Sequence, residues 1–163
     1  LYAGLIPTFE AKNANGFASE LQVLARSVEN NEELSIVSKN YESLLNAISQ
    51  NEENVNNISH TIENKITLAK TLLEIAAEEY ALGIINGDIV NVHEYQDALG
   101  FTTVAKNILK EANSLTSSEE VKRNKVIAII ESLSPLWLSL VPTEKINGDA
   151  IKILTAVSKI NSL

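Results

Sequence analysis

Glu79-Tyr80-Ala81-Leu82-Gly83-Ile84-Ile85-Asn86-Gly87-Asp88-Ile89-Val90-Asn91-Val92-His93-Glu94-Tyr95-Gln96-Asp97 is the stretch on which the fold turns. It holds an acidic-Tyr pair, an Asn-Gly-Asp break and a second acidic-Tyr pair. Upstream, Ile66, Ala69, Leu73, Ala76, Tyr80 and Ile84 recur at the three- and four-residue steps of an apolar helical stripe. Gly87 falls where such a helix would end, because glycine takes a left-handed C′ conformation without a Cβ clash. Asn91 and Glu94 have the spacing of a capping box. Tyr95, Ala98, Leu99, Thr102, Ala105, Ile108, Leu109 and Ala112 then form a second stripe. A link this short predicts antiparallel packing of the two helices. Glu79 on the outgoing helix and Glu94 on the returning one should then lie near the same end.

Outward from this corner the chain reads as helix throughout. Leu1 to Pro7 is an apolar leader ending at a proline. Phe17, Leu21, Leu24 and Val28 mark a first helix, Asn30-Asn31 breaks it, and Leu34, Val37, Tyr41, Leu44, Leu45 and Ile48 mark a second. Gln50 to Asn57 is polar and reads as a loop or helix end. A long third helix is expected from about Ile58 to Ile85, and its hairpin partner from Val92 to about Ser114. Thr116-Ser117-Ser118-Glu119-Glu120 holds capping signals for a fifth helix, which Pro135 ends or kinks near Trp137. Pro142 and Asn147-Gly148 punctuate the approach to a last helix ending near Ile160. Neither strand-like alternation nor an internal repeat stands out. The expected fold is all-α, an up-and-down antiparallel helical bundle with a helical C-terminal extension, in a single domain over residues 1–163.

Composition narrows the function. A chain of 163 residues, 45% hydrophobic and with three prolines, can bury one core. Only 5% of it is aromatic, so aliphatic side chains must build most of that core. A net charge of −8 disfavours nucleic acid, whose phosphates would be repelled, and suits cations or basic partners. Without cysteine, disulfides and thiolate metal sites are excluded. No apolar run approaches the roughly 20 residues of a membrane-spanning helix. A chain that opens on Leu1 is expected to have lost a preceding segment, such as a signal peptide or lipid anchor.

Catalytic signatures are scarce, and no enzyme is expected. His93-Glu94-Tyr95-Gln96-Asp97 ends in Asp where a zinc-protease helix needs a second His. Neither His60 nor His93 has a Glu three residues before it, as a ferritin-like di-iron bundle requires. Gly83 and Gly87 are spaced for packing and capping, not for a phosphate loop.

Glu79, Tyr80, Ile84, Gly87, Val90, Asn91, Glu94, Tyr95, Asp97 and Phe101 together resemble a segment of the extracytoplasmic domain of bacterial high-affinity iron permeases. The likeness continues more weakly through Leu133, Pro142 and the run Ile151, Leu154 and Val157. It covers about residues 65–163, leaving residues 1–64 as additional N-terminal helices. The permease's own membrane helices are not part of it. The resemblance implies a soluble domain of an iron-uptake system, periplasmic or extracellular, with a membrane permease or another uptake component as partner.

Iron, as Fe²⁺ or Fe³⁺, favours carboxylate oxygens and accepts imidazole. Glu94 and Asp97 are three apart, and His93 and Asp97 four apart, so each pair can share a helix face. Glu79, His93, Glu94 and Asp97 are therefore the candidate metal ligands, with Glu78 or Asp88 as additions across the hairpin. Each has a plainer role open to it: Glu94 as a cap, Asp88 as a turn residue, His93 as a solvated side chain. Glu79 opposes the macrodipole near a helix C-terminus, a cost that a nearby cation or donor would offset. Tyr80 and Tyr95 read as packing residues whose hydroxyls bond across the corner. Two other readings stay open: a sensory or ligand-binding bundle whose ligand enters near Trp137, and a structural interaction module.

Overall fold

The computed structural model describes residues 6–11, 14–55, 61–113 and 115–163. His60 lies outside them. Backbone contacts divide the chain into two compact units, Leu1–Ser59 and His60–Leu163.

The first unit holds α1 (Ile6–Ala11), α2 (Ala18–Glu29) and α3 (Leu34–Val55). Pro7 does not end a leader; it sits in the first turn of α1, where a missing N–H costs nothing. The Asn30-Asn31 break is as expected. Asn31 takes φ 52°, and Glu32 N–H donates to Ser27 O at 3.0 Å. Of the two readings for Gln50 to Asn57, the helix end holds: α3 continues to Val55, and residues 56 and 57 lie outside the described residues. Asn51 explains part of this. It is buried, its amide donates to Gly16 O (2.9 Å) and Ala47 O (2.7 Å), and its Oδ1 accepts from Gly16 N–H at 2.8 Å. The apolar stripes expected here are largely exposed: Leu34, Tyr41, Leu45 and Val28 all face out, and Leu44 is buried. A helical hairpin offers each stripe one partner surface, too little to cover it.

The second unit is a bundle of α4 (Ile62–Gly83), α5 (Val92–Lys110), α6 (Ser117–Glu131) and α7 (Ala150–Asn161). Thr61 caps α4, its Oγ1 accepting from Asn64 N–H at 3.3 Å. Ile62, Ile66, Ala69, Leu73, Ala76, Ala77 and Tyr80 form its buried stripe. Tyr95, Ala98, Thr102, Ala105 and Leu109 form that of α5. Small side chains meet along this seam, so the two helices approach closely. A Cβ on Gly83 would stand 2.7 Å from the backbone nitrogen of Tyr95. A full capping box starts α6: Thr116 N–H donates to Glu119 Oε2 at 2.7 Å, and Glu119 N–H returns to Thr116 Oγ1 at 3.3 Å. Pro135 lies in a 3₁₀ turn, Ser134–Leu136, that follows α6 and leads into Trp137.

The C-terminal helix α7 is capped by Asp149 and packs along α4 as the fourth member. Its buried face is Ile153, Ala156, Val157 and Ile160. Of the run Ile151, Leu154 and Val157, the first two are exposed. The stripe follows the side of α7 that meets α4, which lies a residue or two away from the one periodicity suggested. None of the described helices is long and apolar enough to cross a membrane.

Candidate functional site

The corner between α4 and α5 differs from the expected helix end. Helix α4 stops at Gly83, not at Ile85, and a two-stranded antiparallel ribbon follows. Its strands are β1 (Ile84–Ile85) and β2 (Asp88–Ile89), pairing Ile84 with Ile89 and Ile85 with Asp88. Asn86 (φ 53°) and Gly87 (φ 84°) form the two-residue turn. Positive φ at both central positions is the mark of a type I′ hairpin, which matches the twist of the strands it joins. Gly87 therefore serves a hairpin turn and not a helix C′ position.

The ribbon fastens both helices. Gly83 O accepts from Val90 N–H at 2.9 Å and from Asn91 N–H at 3.2 Å. Asn91 is the N-cap of α5, its Oδ1 accepting from His93 N–H at 3.1 Å. The reciprocal half of the predicted capping box does not form, because Asn91 N–H is already committed to Gly83. Glu94 Oε1 instead accepts from the side-chain amide of Asn91 at 3.4 Å.

This geometry brings Glu79, Glu94 and Asp97 together. Glu79 is half-buried near the end of α4 and faces the carboxyl group of Glu94. Its carboxyl is held above the ordinary carboxylate range. Burial is the largest cause, followed by the Glu94 hydrogen bond and by repulsion from Glu94, Asp97 and Glu78. His93 is exposed, and its backbone N–H is the part engaged. Asp88 points elsewhere: it pairs with Lys145 Nζ at 2.8 Å, both side chains largely in solvent. Among the described residues, no group of three or more Asp, Glu or His side chains is already arranged to hold a metal ion.

Behind the pair stands an aromatic cluster. Tyr80 and Tyr95 are fully buried, with ring centroids 6.3 Å apart, and Trp137 meets Tyr80 edge-to-face at 5.8 Å. The tyrosine hydroxyls reach the segment after α6 instead of crossing the corner. Tyr95 Oη donates to Ser139 O at 2.9 Å and Tyr80 Oη to Leu136 O at 3.4 Å. Burial pushes the Tyr80 phenol up to about 12. The few aromatic residues of the second unit thus concentrate where the hairpin and the α6–α7 connection meet. Gln96 adds a further tie, donating to Leu140 O at 3.0 Å.

The second unit is a small four-helix bundle domain. Residues 52–163 match the iron permease-associated 4-helix bundle domain, and the chain belongs to that family. The membership associates it with iron-uptake permeases, a transport function. Comparison with curated proteins and with solved structures returned no match.

Proposed function

We propose that the domain is the extracytoplasmic, non-catalytic part of an iron-uptake permease system and passes iron through the carboxyl pair at its hairpin corner. The observation that carries this reading is the convergence of Glu79 on α4 with Glu94 and Asp97 on α5, whose charges and the partial burial of Glu79 hold its carboxyl above the ordinary carboxylate range. Carboxylates that repel one another across a hairpin are relieved by a hard cation, which prefers carboxylate oxygen. Two or three protein oxygens leave the rest of the coordination sphere to water or to ligands of the permease. Such a site binds cargo transiently instead of storing it. His93, exposed and adjacent to Glu94, is the fourth ligand in this reading.

Calorimetric titration of metal-free protein with Fe²⁺, Fe³⁺, Zn²⁺ and Cu²⁺ tests this, beside a Glu79→Gln/Glu94→Gln variant. The expected result is saturable iron binding accompanied by proton release, lost in the variant while its helical content is retained. Folded wild-type protein that binds no iron would reduce the pair to a packing feature of the corner.

A further inference from the structure

A concavity of about 390 Å³ opens between α5, α6 and the Ser134–Leu136 turn. That volume is in the range of small-molecule sites. Leu99 and Ile130 give it apolar walls, and Trp137 lines one side. Besides the solvent-facing Ser134 hydroxyl, two donors here are unspent. Trp137 Nε1–H is buried and has no hydrogen-bond partner, a condition that folded proteins rarely tolerate without a missing acceptor. The Lys106 ammonium makes no ion pair or hydrogen bond among the described residues. Thr102 adds little donor capacity, since its hydroxyl already donates to Ala98 O at 2.9 Å. Glu131, the acid in the lining, is held by Lys110 at 3.2 Å. The lining holds one lysine and one glutamate, and because Lys110 from outside it answers Glu131, the Lys106 charge is left unpaired.

We propose that this cleft binds a small organic carboxylate with an apolar body. Its two oxygens answer the two unspent donors, one facing the Lys106 ammonium and the other the indole N–H after a small turn of the ring. The apolar walls take the rest of the molecule and discriminate against inorganic anions. The site is separate from the Glu79–Glu94 pair and needs no metal.

Trp137 is the sole tryptophan of the chain, so intrinsic fluorescence reports this cleft directly. Metal-free protein is titrated with phenylacetate, with phenylacetamide as the uncharged counterpart and inorganic phosphate as an anion lacking an apolar body. Phenylacetate should give a saturable change in emission, and the other two should bind at least about tenfold more weakly. Lys106→Met should weaken phenylacetate binding about tenfold, while Lys106→Arg, which keeps the charge, restores most of it. Trp137→Phe, followed by calorimetry, should cost at least about fivefold through loss of the N–H and of part of the ring. The proposal is overturned if folded wild-type protein shows no saturable response up to about 10 mM phenylacetate. Equal binding of the acid and the amide, or unchanged affinity in a folded Lys106→Met variant, would overturn it as well.

Discussion

Ile146 N–H donates to Gly87 O at 2.9 Å, and a Cβ on Gly87 would stand equally close to Ile146 O. The loop before α7 thus lies against the hairpin turn with room for a hydrogen atom only. Gly87→Ala should fail twice over, through its φ of 84° and through this approach. A loss of about 1–3 kcal/mol is expected from the strained backbone conformation. Chemical denaturation checks it, and Lys145→Ala, which removes only the exposed pair with Asp88, should shift stability by less than about 1 kcal/mol.

Two glycines of the helical hairpin should respond in opposite directions. A Cβ on Gly83 meets the backbone of Tyr95 and Asn91 at 2.7–3.1 Å, and the main chain there cannot move aside alone. Gly83→Ala should force α4 and α5 apart and cost about 1–3 kcal/mol. Gly100, inside α5, has nothing within 4 Å of its virtual Cβ. Gly100→Ala should stabilise by about 0.5–1 kcal/mol through helix propensity and a less flexible unfolded chain. Thermal melts of the two variants, run side by side, decide both.

Removing the Tyr95 hydroxyl leaves Ser139 O without its donor. Tyr95→Phe should cost about 1 kcal/mol, and Tyr80→Phe less, because its bond to Leu136 O is longer at 3.4 Å. Equal losses in urea titration would contradict this ordering.

The Glu79 carboxyl sits above the value of 4.5 that it has when unperturbed. A raised carboxyl makes ionisation costlier in the folded state than in the unfolded chain. Its contribution to stability is therefore most favourable below 4.5 and is lost as the pH rises through the folded-state value. Glu79→Gln should leave stability little changed at acidic pH and raise it at neutral pH in the absence of metal. Denaturation curves at about pH 4 and about pH 8, wild type against variant, give the sign. A variant less stable than wild type at the higher pH would mean that the ionised pair is satisfied by a donor or cation.

Much of the second unit could be read from local pattern. The stripes Ile66–Tyr80 and Tyr95–Ala112, the Thr116 capping box and the bend at Pro135–Trp137 each depend on residues within a few positions of one another. The ribbon was hidden because Ile84 and Ile85 prolong the helical stripe of α4. The decisive signal was Asn86-Gly87, two residues between two short apolar-rich pairs, which specifies a type I′ turn. Asn91 caps α5, but Glu94 could not complete a capping box for a reason no local pattern carries: the Asn91 N–H is taken by Gly83. Similarly, Asp88 was withdrawn from the carboxylate group by Lys145, 57 residues away. The nearness of Glu79, Glu94 and Asp97 followed from hairpin geometry alone. The cleft beside Lys106 did not, since it needs the α6 packing angle as well as the sequence of α5.

The alanine seam between α4 and α5 also sets an order of assembly. Its contacts join residues close in sequence, across a ribbon that closes with little loss of chain entropy. Helices α6 and α7 contribute bulkier side chains over longer separations, and they have most to gain once that surface exists. The hairpin is therefore the expected folding nucleus. Ala76→Gly and Ala98→Gly should slow refolding, whereas Val157→Ala should chiefly accelerate unfolding. On this view the carboxyl pair is assembled early, before the bundle that supports it is complete.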